Sequence, residues 1–193
     1  MAKVHNLHLA LARIGPVLLI PESTFSFWRA VGPPRASRGF QKGRNIMNGV
    51  LGSDYGGGLC QLAGLLYHLS LLGQLTITER HAHSRDLYRE NERYTPLGAD
   101  ATVVFGYKDL RVRNERPDPV WFTFELTEES LRASLWSTAT YPSAELRFER
   151  VADEASHARV HTWRDDQLVA VSEYLREGDR SSGSGDQTET ITW

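Results

Sequence analysis

The sequence predicts an α+β fold: a single mixed domain in which one helix, carrying Cys60 at its N-terminus, packs on a mainly antiparallel sheet, with a small C-terminal antiparallel annex. Three observations predict it. Leu62, Leu65, Leu66, Leu69 and Leu72 recur at three- and four-residue spacing, which is one buried helical stripe over about Cys60 to Leu72, closed by Gly73. Val120 to Leu126 and Ser130 to Ser137 read as strands joined by the tight Thr127-Glu128-Glu129 turn. After Tyr141-Pro142, the runs Glu145 to Val151, Ala158 to Trp163 and Leu168 to Leu175 read as a small antiparallel sheet, with Asp165-Asp166 as a hairpin turn. The expected division is therefore a domain over residues 1–140, the annex over 141–177 and a disordered Ser-, Gly- and Asp-rich tail over 178–193.

The remaining elements follow in order. Val4 to Ile14 reads as a helix stopped by Gly15-Pro16. Val17 to Ile20 is a short buried run, and Thr24 to Val31 is rich in aromatics. From Pro33-Pro34 to Gly58 the glycines and prolines predict a long irregular stretch, of a kind that is often functional. Leu75 to Arg80 reads as a strand, Arg85 to Thr95 as a polar loop, Ala101 to Tyr107 as a buried strand and Leu110 to Arg113 as a shorter one.

Composition narrows the function. The chain has 193 residues, 40% hydrophobic and 24% charged, enough to bury a real core. Net charge is -2 with both signs mixed, which argues against a nucleic-acid surface; the basic cluster Arg35, Arg38, Lys42 and Arg44 reads as a solvated loop. A single cysteine makes no intramolecular disulfide. The apolar run Ile14 to Ile20, broken by Gly15 and Pro16, is too short to span a bilayer, and no export signal is read, so the expected location is cytoplasmic.

The chemistry concentrates in two places. Gly56, Gly57 and Gly58 precede Leu59-Cys60-Gln61, a flexible turn delivering a thiol to a helix N-terminus. The unsatisfied N–H groups and the dipole there favour a thiolate, which is the nucleophilic form. Glycine N–H groups near Gly57 and Gly58, with the Gln61 side chain, would bind an oxyanion. The bland alternative is a buried structural cysteine. His81 and His83 follow a strand and point the same way in an extended chain. His83 would serve Cys60 as its base; alternatively His81, His83 and Cys60 would hold a metal. Asp86, Asp100 and Asp109 are candidates to orient the histidine. Asp109 is preferred because a reversal after the Ala101 to Tyr107 strand would bring it back to the histidines, whereas Asp100 would serve the turn after Gly98.

These stretches together resemble the VanW family. The resemblance rests on Thr24-Phe25-Ser26-Phe27-Trp28, Arg38-Gly39-Phe40, Gly56-Gly57-Gly58-Leu59-Cys60-Gln61-Leu62, Thr76-Ile77-Thr78-Glu79-Arg80, His83-Ser84, Pro96-Leu97-Gly98-Ala99-Asp100-Ala101-Thr102-Val103 and Tyr107-Lys108-Asp109-Leu110, in order across about Asn6 to Leu135. It implies a link to glycopeptide resistance and, by analogy with some exported members, L,D-transpeptidase-like cross-linking of peptidoglycan with Cys60 as nucleophile and His83 as the motif histidine. A non-histidine residue at the position of His81 in other members counts against the metal.

The function expected from residues and resemblance together is a cysteine acyltransferase acting on a peptidoglycan stem peptide or precursor, without a cofactor. Cys60, His83 and Asp109 or Asp100 would be catalytic; Gly57, Gly58, Gln61, Ser84 and Tyr55 would bind substrate or oxyanion. The rival expectations are a non-catalytic module binding peptidoglycan or a resistance partner, with Phe25, Phe27, Trp28 and Tyr55 in its groove, and a metal-dependent hydrolase.

Overall fold

A computed structural model describes residues 2–15, 17–47, 50–86, 95–154 and 156–176. Three helices, α1 (Ala2–Ile14), α2 (Phe27–Val31) and α3 (Leu59–Leu72), stand among short sheets. The predicted α+β class is observed. Strand β1 (Leu18–Leu19) pairs with β8 (Val120–Leu126), which pairs with β9 (Leu131–Ser137). A second sheet joins β2 (Thr24–Ser26), β7 (Arg111–Arg113) and β5 (Thr76–Glu79). A third orders β10 (Leu146–Asp153), β11 (His157–Arg164), β12 (Gln167–Arg176) and β6 (Arg85–Asp86), with only β12 and β6 parallel. A hairpin pairs β3 (Lys42–Met47) with β4 (Val50–Tyr55).

The leucine stripe behaves as its spacing requires. Of it, Leu62 and Leu66 are fully buried while Leu65, Leu69 and Leu72 are half-buried; Leu71, outside the predicted stripe, is buried as well, and the helix packs on β5 and β9. Their neighbours in the main core include Leu7 of α1, Phe27 of α2, and Val112 and Phe122 of the sheets. A second, smaller cluster buries Leu97 with Ala158, Val160 and Tyr174 of the C-terminal sheet, and Ala82 and Phe148 pack on it. Asp165 and Asp166 turn the β11–β12 hairpin with positive φ at both, the backbone of a tight primed turn that aspartate tolerates.

Four sequence expectations are corrected. The stretch from Pro33 to Gly58 is not irregular throughout, because β3 and β4 occupy 42–47 and 50–55; the Lys-Gly-Arg-Asn opening hides β3 from a hydrophobicity reading. Ala101 to Tyr107 is no ladder strand: its backbone runs extended past α3 and closes a tight turn through the isolated Val104–Lys108 bridge. Of Val17 to Ile20 only Leu19 is buried, since a paired edge alternates its faces and leaves Leu18 and Ile20 exposed. The polar loop expected from Arg85 opens instead with β6, while residues 87–94 and the expected tail lie outside the described residues. Among the described residues no helix is long and apolar enough to cross a membrane.

Candidate functional site

The glycine turn places Cys60 as the second residue of α3. Gly56 and Gly58 adopt φ of 92° and 99°, the left-handed region that favours glycine. A Cβ at Gly56 would stand 2.9 Å from both Leu59 and Pro34, and one at Gly58 3.0 Å from Lys3. Asn6 of α1 clasps this turn: its Nδ2 donates to the carbonyls of Gln41 and Gly57, and its Oδ1 accepts from Gln41 N. Leu59 N donates to Gly56 O and Leu62 N to Gly58 O, whereas the N–H groups of Cys60 and Gln61 have no acceptor among the described residues. Two free donors thus sit beside the thiol at the positive end of a helix.

The segment 99–103 crosses α3 just beyond the thiol. Gly64 faces the crossing, and a Cβ there would lie 3.4 Å from Ala101 N, an ordinary van der Waals contact. Cys60 Sγ rests 3.6 Å from Thr102 Oγ1 and 3.7 Å from the Val103 carbonyl. Thr102 N donates to His81 O, stitching the same segment to the chain leaving β5. That stitch brings His83 to Asp100: His83 N and Nδ1 both donate to Asp100 Oδ2, at 2.8 and 2.6 Å. His83 also lies near enough to Cys60 to act on its charge, and with Nδ1 committed to Asp100 the nitrogen left to face sulfur is Nε2.

Asp100 is held on its other oxygen. Its Oδ1 accepts from Arg80 Nη2 at 2.9 Å and from the Tyr174 hydroxyl at 2.5 Å. Arg80 is nearly buried; it also donates to the carbonyls of Gly98 and Asp100 and to Ser172 Oγ, and its guanidinium lies over the Tyr67 ring. Burial penalises the Asp100 carboxylate, but the His83 hydrogen bond and the Arg80 charge outweigh it and hold its pKa well below the usual range. Burial likewise opposes His83 protonation, and Asp100 and Cys60 together overcome it, raising the ring to about 9. For Cys60, burial pushes the thiol up while the His83 hydrogen bond and charge pull it down; the net shift is downward.

Not every expected residue comes here. Asp109, the preferred third group, does not meet His83. Its carboxylate accepts from Ser26 Oγ, Trp28 N, Leu110 N and Arg111 Nε, so it secures the start of α2. The reversal that was to return it to the histidines depended on a strand that does not form. His81 turns to Glu79 Oε1, and among the described residues no three His, Cys, Asp or Glu side chains are grouped to hold a metal. Gln61 Oε1 is buried without a partner. Tyr55 packs against the main core with Lys42 over its ring, and Ser84 is exposed with its carbonyl accepting from Leu175 N. Phe25 and Phe27 are core residues. Arg80, Thr102, Ser172 and Tyr174 were not anticipated. Only Arg80 carried a signal, as a lone cation ending a strand just before the histidines.

The pair has a testable linkage to stability. The contribution of His83 is complete below its unfolded pKa of about 6.5 and is lost as pH rises through about 9. Cys60 works oppositely: its contribution is present above the unfolded thiol value and is lost as pH falls. Between the unfolded imidazole value of about 6.5 and the folded value of about 9, the proton that His83 adds is offset by the one that an ionised Cys60 gives up. Wild-type stability is therefore expected to stay nearly flat there. Cys60→Ala should lose up to about 1.4 kcal/mol per pH unit, read by urea unfolding at several pH values; parallel curves for the two proteins would refute the ion pair.

A cysteine near a helix start, an imidazole and a carboxylate thus stand together in an α+β domain. The family model described as "VanW like protein" matches residues 2–136, and the chain belongs to the VanW family. Over 125 residues it is 36% identical to the "Vancomycin B-type resistance protein VanW" of Enterococcus faecalis (strain ATCC 700802 / V583), a match covering 64% of this chain and 46% of that protein. Over 137 residues it is 30% identical to the "Uncharacterized protein YoaR" of Bacillus subtilis (strain 168), covering 71% and 44%. The chain thus matches less than half the length of these curated relatives. No solved structure matches it.

Proposed function

We propose that the chain is a cysteine acyltransferase that acts on cell-wall peptides. The observation that carries this reading is the 2.6 Å contact between Asp100 and His83 Nδ1, which turns the other face of the imidazole to Cys60. The Cys60 thiolate attacks the acyl carbonyl, and the oxyanion that forms takes the N–H groups of Cys60 and Gln61. As the C–N bond breaks, the His83 imidazolium gives its proton to the leaving amine and a thioester remains on Cys60. An acceptor amine then attacks the thioester, neutral His83 removes its proton, and the thiolate departs. Water in place of the amine gives hydrolysis.

The substrate class is supported by the family and by the resistance protein named among the relatives. On this reading the reaction belongs to peptidoglycan chemistry linked to glycopeptide resistance. Beside the thiol, the turn after Val103 exposes Val104, Phe105 and Tyr107, and Trp28 buttresses Phe105 edge-on at 5.5 Å. This apolar lip suits the stem of a peptide; a binding module without chemistry would use the same lip.

Alkylation by iodoacetamide separates the two. Folded wild type is expected to label at Cys60 about tenfold faster than a free model thiol at neutral pH, and His83→Ala to remove the advantage. Slow labelling, indifferent to His83, would leave only the binding module.

A further inference from the structure

The family match ends at residue 136, yet the side chains that hold Asp100 do not all come from that region. Strand β12 approaches the site at three points. Tyr174, almost wholly buried, donates its hydroxyl to Asp100 Oδ1 at 2.5 Å. Ser172, two residues earlier on the same face, accepts from Arg80, the other partner of that oxygen. Leu175 N donates to the carbonyl of Ser84, next to His83, and β6 then pairs along β12. The loop carrying Asp100 is seated on the same sheet: Gly98 has φ of 101°, and a Cβ there would come within 2.9 Å of Val160 and 3.0 Å of Phe148. Leu97 completes a small core with Ala158, Val160 and Tyr174.

We propose that Tyr174 is a positioning residue of the Cys60–His83–Asp100 group, and that the C-terminal sheet is a working part of the site rather than an annex. This rests on the cysteine reading given above. A carboxylate can rotate about its bond to the chain, and only one of its oxygens serves His83. Two donors on the opposite oxygen, Arg80 from β5's end and Tyr174 from β12, pin the rotation so that Oδ2 stays on Nδ1. The tyrosine is the finer control of the two. It carries no charge, so it draws electron density from the carboxylate without neutralising it, and it limits how strongly Asp100 holds the His83 proton.

The sign of its removal follows. Tyr174→Phe takes away one hydroxyl and keeps the ring in its pocket. With one donor fewer the Asp100 carboxylate is a stronger acceptor, and the proton on His83 is held more tightly. The groups facing His83 are Asp100 and Cys60, with Arg80, Tyr67 and Tyr174 acting through Asp100, and Arg85 and Asp86 follow it in the chain.

The experiment is an NMR titration of the His83 ring in the full chain, with the signal assigned by its loss in His83→Ala. Tyr174→Phe is expected to raise the midpoint by about half a pH unit and to move the Nδ1 proton to lower field. Incorporating 3-fluorotyrosine at position 174, which keeps the side chain and donates more strongly, should shift both in the opposite direction; it also serves if Tyr174→Phe fails to fold. Unchanged midpoint and proton signal in either folded protein would overturn the proposal, because a tyrosine that merely packs would move neither. The wild-type alkylation test stands apart from these readouts. Fast, His83-dependent labelling with an unmoved titration would sink the role of Tyr174 alone, whereas slow labelling would sink the cysteine reading beneath it.

Discussion

Asp100→Ala is expected to cost the protein about 3 kcal/mol or more of stability and to abolish the reactivity of Cys60. The carboxylate accepts from His83 twice, from Arg80 and from Tyr174, and the Arg80 side chain beside it is only 7% exposed. Its loss leaves a nearly buried guanidinium without its counter-charge, which is the costly way to break an ion pair. It also frees the His83 ring and removes the charge that keeps it protonated, so the thiol loses its cationic neighbour. Asp109→Ala is the control. It deprives the first turn of α2 of its acceptor, at about 1–2 kcal/mol, while leaving labelling of Cys60 intact. Chemical denaturation and alkylation of the two variants decide the matter: comparable labelling of both would strip Asp100 of its role, and loss in Asp109→Ala alone would return the role to Asp109.

Cys60→Ser is expected to abolish acyl transfer at neutral pH, a loss of at least about 10³-fold, and not simply because oxygen is a poorer nucleophile. In wild type Asp100 and Cys60 together raise His83 to about 9; the serine variant loses the Cys60 part and keeps the pull of Asp100 toward the protonated ring. A thiolate needs no base, but a serine hydroxyl does, and a protonated imidazole cannot act as one. Any residual activity of the serine variant should therefore climb with pH as His83 is deprotonated, while wild type declines once the imidazolium that protonates the leaving amine is lost. Matching profiles for the two proteins, measured as amide turnover on a stem-peptide substrate, would contradict the ion-pair mechanism.

Local signals were legible in the sequence, and spatial ones were not. The leucine spacing gave α3, and the glycines before it gave the placing of Cys60, because both are decided within one turn of chain. The β8–β9 and C-terminal hairpins were legible for the same reason: alternation and turn residues act on neighbours. The β3–β4 hairpin was missed because lysine, glycine, arginine and asparagine carry no apolar alternation. Ala101 to Val103 has strand-like residues and is extended, but its backbone is engaged at Thr102 by His81 rather than by a ladder. Asp100 and Asp109 therefore looked alike as turn carboxylates. What separates them is Arg80, and then Tyr174, which is 74 residues away; no spacing rule spans that distance.

Asn6 has a consequence in biosynthesis. The helix that bears it leaves the ribosome before the segments that it clasps, since synthesis runs from the N-terminus. Its amide then has nothing to clasp until Gln41 and Gly57 follow. Through that interval Cys60 is an ordinary thiol, mostly protonated at cellular pH and slow toward electrophiles. Only when β12 has emerged and closed over Asp100 is that carboxylate held by both donors on its far oxygen while it serves His83. On the cysteine reading proposed above, the nascent chain thus carries that thiol in an unarmed form until the later parts of the site are made.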